Sequence, residues 1–149
     1  MSWTNLLANR TVQNHSTSVG EIGDLREVVD RDLDDAAITA FSDDRRFATV
    51  YNAVLQLSKM AIACAGFRIS IGGGHHQKTF EAVKMALDSA EAEALADYFD
   101  TCRRKLNSID YDGSEIVSET EAEELLEKAK EFRTIIEEWI EKNHAAYKL

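Results

Sequence analysis

Apolar residues recur at helical spacing through most of this chain. From Glu21 onward, Ile22, Leu25, Val29, Leu33, Ala36 and Ala40 fall three or four positions apart, which is one face of an α-helix. Ser42-Asp43-Asp44 then supplies a hydroxyl cap and first-turn acids for a second helix. Its stripe is Phe47, Val50, Tyr51, Val54, Ser58, Ala61, Ile62 and Ala65. Gly66 weakens that helix, and Gly72-Gly73-Gly74 ends regular structure. A short third helix carries Phe80, Val83 and Leu87 on one side, and Asp88-Ser89 marks a break after it. The fourth helix buries Leu95, Tyr98, Phe99, Cys102 and Leu106. Asp112-Gly113-Ser114 is a turn signal, and Ser118 with Glu121 forms a capping box. The helix that follows buries Leu125, Ala129, Phe132, Ile136, Trp139 and Ile140, and frays near His144.

No segment of useful length alternates at period two, so strands are not expected. Residues 1–18 show no clear period and are rich in Asn, Ser and Thr, which reads as an N-terminal arm docked through Trp3 and Leu6. Residues 19–149 read as one domain. Four long helices, each with one apolar stripe, must bury those stripes against each other, and short connections favour antiparallel neighbours. The pattern therefore predicts an all-α fold, an antiparallel four- to five-helix up-down bundle.

Composition agrees with this picture and narrows it. The 149 residues are the size of a single domain and contain no proline, the residue that breaks helix interiors. The longest apolar run, Met60 to Phe67, is far too short to span a bilayer, so no membrane association is expected. Met1-Ser2-Trp3-Thr4-Asn5 lacks the basic and apolar regions of a signal peptide. Cys64 and Cys102 each lie in an apolar stripe and read as buried free thiols, which suits a reducing, cytoplasmic setting. The net charge of −10 repels nucleic acid in bulk, so any RNA contact needs a local basic patch.

Two places carry candidate chemistry. On the fourth helix, Asp100, Arg104, Asn107 and Tyr111 are spaced 4, 3 and 4 apart and line up opposite Leu95, Phe99, Cys102 and Leu106. That row suits a phosphate or a polar interface; the plainer alternative is a solvated face with an Asp100–Arg104 pair. Arg103, Arg104 and Lys105 form a compact basic cluster in an acidic chain, or simply compensate the dipole near a helix C-terminus. The second place is Gly72-Gly73-Gly74-His75-His76-Gln77-Lys78-Thr79, where backbone N–H groups at a helix start could approach an anion and His75 or His76 carry protons. It lacks the P-loop spacing, and the adjacent histidines do not share a helix face, so no metal site is expected. No cofactor motif stands out.

At these same residues the chain resembles the HEPN superfamily, small helical bundles of prokaryotic toxin–antitoxin and defence systems. The likeness runs over about residues 40 to 145 and rests on short pieces in order. These are Asp43-Asp44-Arg45-Arg46-Phe47, Tyr51-Asn52-Ala53, Ala65-Gly66-Phe67-Arg68, Gly74-His75-His76-x-x-Thr79, Tyr98-Phe99-Asp100-x-Cys102-Arg103-Arg104-Lys105-x-Asn107, Tyr111-Asp112-Gly113 and Val117-Ser118-Glu119-x-Glu121-Ala122. The resemblance implies a homodimer with the motif near the dimer cleft, and RNA, nucleotide or a minimal nucleotidyltransferase as partner. Many members are metal-independent ribonucleases in which an Arg stabilises phosphate charge and a following His moves the proton. Where related toxins carry Arg-x4-His-x-Tyr, this chain has Arg104, Ile109 and Tyr111. The resemblance thus implies a binding or partner module lacking the usual His, with Tyr111 as a possible modification acceptor. The alternative is a ribonuclease with an altered site, using Arg104 and Asn107 with His75 or His76.

Overall fold

The computed structural model describes residues 2–112 and 116–149, with the backbone alone for 110–112. Six α-helices and one two-stranded sheet are present among the described residues: α1 (Trp3–Ala8), β1 (Val12–Asn14), α2 (Val19–Ala36), α3 (Asp43–Cys64), β2 (Phe67–Ile69), α4 (His75–Leu87), α5 (Ala90–Asp112) and α6 (Glu119–Asn143). A 3-10 turn, Ala145–Tyr147, follows α6. The fold is an all-α helical bundle.

Local signals set the helix starts. Ser18, Ser42 and Ser118 each sit in extended backbone and accept an N–H from three residues on, satisfying a donor the helix leaves open. At α6 the box is complete, because the Glu121 carboxylate also accepts from the Ser118 backbone. Helix α2 stops at Ala36, so Ala40 lies beyond it and is exposed rather than on the buried stripe.

Helix α3 organises the rest. Fourteen of its 22 residues are buried, too many for one stripe, so it is covered on several sides. It packs against α2 and α6 most extensively, and also against α4 and α5. Ser58, fully buried on this helix, gives its hydroxyl to the Val54 carbonyl and so costs the core little. Phe80, Phe99 and Phe132, from α4, α5 and α6, form a chain of ring contacts at 6.3 and 5.0 Å beneath Tyr51.

One buried cation ties three helices. Arg46 is 2% exposed; its Nε donates to the Ala36 carbonyl at 2.8 Å, an end group that α2 cannot satisfy itself. Its Nη2 donates to Glu123 of α6, and Asp43 lies 3.6 Å away. Nearby, Asp44 accepts from the Val117 N–H at 2.9 Å, fixing the approach to α6.

The strands are a departure from the sequence reading. β1 and β2 pair antiparallel with Val12 opposite Ile69, Gln13 opposite Arg68 and Asn14 opposite Phe67. Three-residue strands are too short to show a period of two, and Gly66, at φ +99°, turns the chain from α3 into β2. Residues before 19 are docked by this pairing, by fully buried Leu6 and by Trp3 stacked on Phe67 at 4.2 Å. Cys64 and Cys102 are both free and buried, and burial pushes each thiol up to about 11, out of thiolate chemistry at neutral pH.

Arg46→Met should lower unfolding free energy by about 2–3 kcal/mol, because a charged donor is lost to a buried carbonyl. Glu123→Gln should cost no more than about 1 kcal/mol, since that carboxylate is nearly half exposed. Urea melts of both variants check the ranking, and equal losses would contradict it.

Candidate functional site

The start of α4 brings the two histidines to different neighbours. Gly72 and Gly74 have φ of +143° and +72°, and Gly74 is the left-handed N-cap from which α4 departs. A side chain at Gly74 would be strained there, so the glycine sets how His75 and His76 enter the helix. His76 then reaches α3, where its Nδ1 lies 3.1 Å from the Tyr51 hydroxyl. His75, one residue earlier, lines a separate cavity of about 310 Å³ with Lys59, Arg68 and Phe67.

Tyr51 is 1% exposed, and burial raises its phenol far above the ordinary tyrosine value, so it stays protonated. Burial lowers the His76 pKa, and the positive charges of His75, Arg103 and Lys59 lower it further. A neutral imidazole with its proton on Nε2 accepts the phenol O–H at Nδ1.

Helix α5 contributes the charge beside this pair. Arg103, a quarter exposed, donates from Nε to Asp100 Oδ1 at 2.9 Å. Its positive charge acts on both Tyr51 and His76. The Tyr51–His76 and Asp100–Arg103 pairs thus lie within electrostatic reach of each other, one joining α3 to α4 and the other on α5. Among the described residues, no group of three or more His, Cys, Asp or Glu could hold a metal ion.

The residues singled out from sequence distribute unevenly around these pairs. His76 and Arg103 belong to them, and His75 stands beside them. Arg104 is exposed, and Asp100 pairs with Arg103 three residues on, not with Arg104 four on. Asn107 is exposed as well. Lys105 turns to α6, where its Nζ lies 3.2 Å from Glu121. The helix continues through Tyr111, but the side chain of Tyr111 lies outside the described residues. Ile109, at the position where the related motif has His, is half-buried and lines the edge of another cavity.

That cavity, about 1070 Å³, lies between α2, α3 and the far end of α5 and was not foreseen. Asp32 and Asn52 line it, the Asn52 amide donating to Asp32 Oδ2 at 2.7 Å. Arg31 also donates to Asp32, at 3.2 and 3.1 Å. The sequence signal was faint: Asp32 is an acid beside the buried stripe positions Val29, Leu33 and Ala36. The helical stripe marks Tyr51 as core, and nothing in a single stripe tells which buried phenol meets a histidine.

Comparison with protein-family models, with curated proteins and with solved structures finds no match to this chain.

The depressed His76 pKa has a defined sign. The unfolded chain binds this proton more readily, so the stability from neutral His76 is complete above the ordinary value of about 6.5 and is lost as pH falls through the folded value. In an NMR titration, the His76 ring should protonate below about 6.5. In urea melts, His76→Gln should flatten the loss of stability on acidification; a slope unchanged by the substitution would contradict the assignment.

Proposed function

We propose that this chain is an antiparallel, up-down bundle of the HEPN type, from a toxin–antitoxin or defence system, that binds RNA, a nucleotide or a partner protein without cutting RNA. The observation that supports it is the convergence of His76, from the start of α4, with Arg103 of α5 on one side of the bundle, with Arg104 exposed on the next position of α5. In a chain of net charge −10, the Arg103 and Arg104 guanidinium groups supply the local positive charge that a phosphate contact requires. Asp100 neutralises part of Arg103, and Arg104 has Ile109 in place of the motif His, both of which favour binding over cleavage.

The reading carries further expectations. A second copy of the chain completes the cleft, giving a homodimer, and the cognate partner is a minimal nucleotidyltransferase acting on Tyr111. No helix among the described residues is long and apolar enough to cross a membrane, and a cytoplasmic location belongs to the proposal.

A second reading has one observation in its favour. His76 is held neutral next to an Arg guanidinium, the pairing that proton transfer at a 2′-hydroxyl with phosphate stabilisation would use. In this altered-site ribonuclease, His76 moves the proton and Arg103 stabilises the phosphate, in place of Arg104 and Asn107 with His75 or His76.

Incubation of the purified protein with RNA in EDTA separates the two. The binding module leaves RNA intact, and fluorescence anisotropy at low salt shows a complex that Arg103→Gln and Arg104→Gln each weaken about threefold to tenfold. RNA cleavage that His76→Ala lowers by about a hundredfold or more would replace the binding module with the ribonuclease.

A further inference from the structure

The opposite flank of the glycine loop holds a cavity with an unusual set of side chains. It encloses about 670 Å³ between the α1–β1 connection, the residues after β2 and the first turns of α4. Arg10, Lys78, Ser70, Asn9, Gln13 and Asn14 supply its polar lining, and no carboxylate is among the described residues that line it. In a chain with 27 acidic and 17 basic residues, a concavity with two cations and no acid is a selective environment.

The polar groups there are disposed as donors. Asn9 Oδ1 is taken by the Thr11 N–H and hydroxyl, at 3.0 and 2.6 Å, which leaves its amide NH2 to donate. Gln13 Oε1 accepts from Arg68 Nε and Nη2, at 3.1 and 2.9 Å, which leaves its NH2 likewise. Ser70 is 6% exposed, and its Oγ is a buried side-chain polar atom without a hydrogen-bond partner among the described residues. A buried hydroxyl of this kind calls for an acceptor that the described residues do not provide.

The two cations reach the cavity from different segments, Arg10 from the α1–β1 connection and Lys78 from α4. Arg10 occupies the left-handed region at φ +63°, unusual for a residue with a side chain, between α1 and β1. The Lys78 ammonium stands 3.7 Å from where a Cβ on Gly72 would lie, which places it against the glycine loop.

We propose that this cavity binds a phosphate group, with Arg10 and Lys78 supplying charge and Ser70 donating its hydroxyl. Two positive charges match the dianion of a phosphate monoester, and the Ser70 hydroxyl with the amide NH2 groups of Asn9 and Gln13 suit its oxygens. The site is separate from the Tyr51–His76 and Asp100–Arg103 pairs and does not depend on the function proposed above. Free phosphate, the terminal phosphate of a nucleotide and the backbone of RNA share this chemistry.

Isothermal titration calorimetry at low salt, with inorganic phosphate, adenosine 5′-monophosphate and a short oligoribonucleotide as probes, tests it. The wild type should bind at least one probe, and Arg10→Gln and Lys78→Gln should each weaken that binding by about tenfold. Similar binding of phosphate and the nucleotide identifies a terminal phosphate, and binding of the oligoribonucleotide alone identifies a phosphodiester. Ser70→Ala should weaken the same probe while leaving the melting temperature unchanged or higher, because it removes a hydroxyl with no partner. No heat with any probe at millimolar concentration in folded wild type would overturn the proposal. So would binding that Lys78→Gln and Arg10→Gln leave intact while Arg103→Gln abolishes it.

Discussion

The buried guanidinium of Arg46 is the constraint on which the arrangement of the helices depends. A helix end must place its last carbonyls somewhere, and α2 gives the Ala36 carbonyl to Arg46 inside the protein. The same side chain reaches Glu123, so the end of α2, the start of α3 and the first turns of α6 are held at one point. A buried cation is costly unless its donors are satisfied, and an aliphatic replacement of similar size would not specify this junction. Lysine is no equivalent, since it lacks the planar fork that bonds a carbonyl and a carboxylate at once.

With that junction fixed, α3 lies among its neighbours with most of its surface covered, and Tyr51 is carried inward on it. The phenol needs a partner for its O–H, and the start of α4 supplies His76. Burial of the imidazole then keeps it neutral, and Arg103 of α5 adds to the effect. Core packing, helix entry and side-chain ionisation are thus linked through one pair. The glycines before α4 are the hinge of that link: they set the direction of the helix, place His76 toward Tyr51 and leave His75 facing another cavity.

The helices were legible because their signals are local. Ser118 and Glu121 announce the start of α6 by spacing alone, and Ser42 does the same for α3. The strands were not, because β1 and β2 gain their hydrogen bonds from each other across more than fifty residues, and neither carries a pattern by itself. The candidate site was legible in part. Histidines at a glycine-led helix start and basic residues on α5 were evident, yet their partners were not. Which of Arg103 and Arg104 turns toward the core depends on where α3 and α4 lie against α5, since consecutive residues differ by about 100° around a helix. Asp32 and Arg46 escaped for a related reason. Both are charged residues next to buried stripes, and only the tertiary partners, Asn52 and the Ala36 carbonyl, account for their burial.

The proposed surface for RNA or nucleotide is the face where α4 and α5 meet. A ¹H–¹⁵N NMR titration of the isotope-labelled protein with a short oligoribonucleotide tests it most directly. Shift changes should concentrate in residues 72–80 and 100–108. Changes confined to α2 and α6, or no changes with saturating RNA, would contradict it.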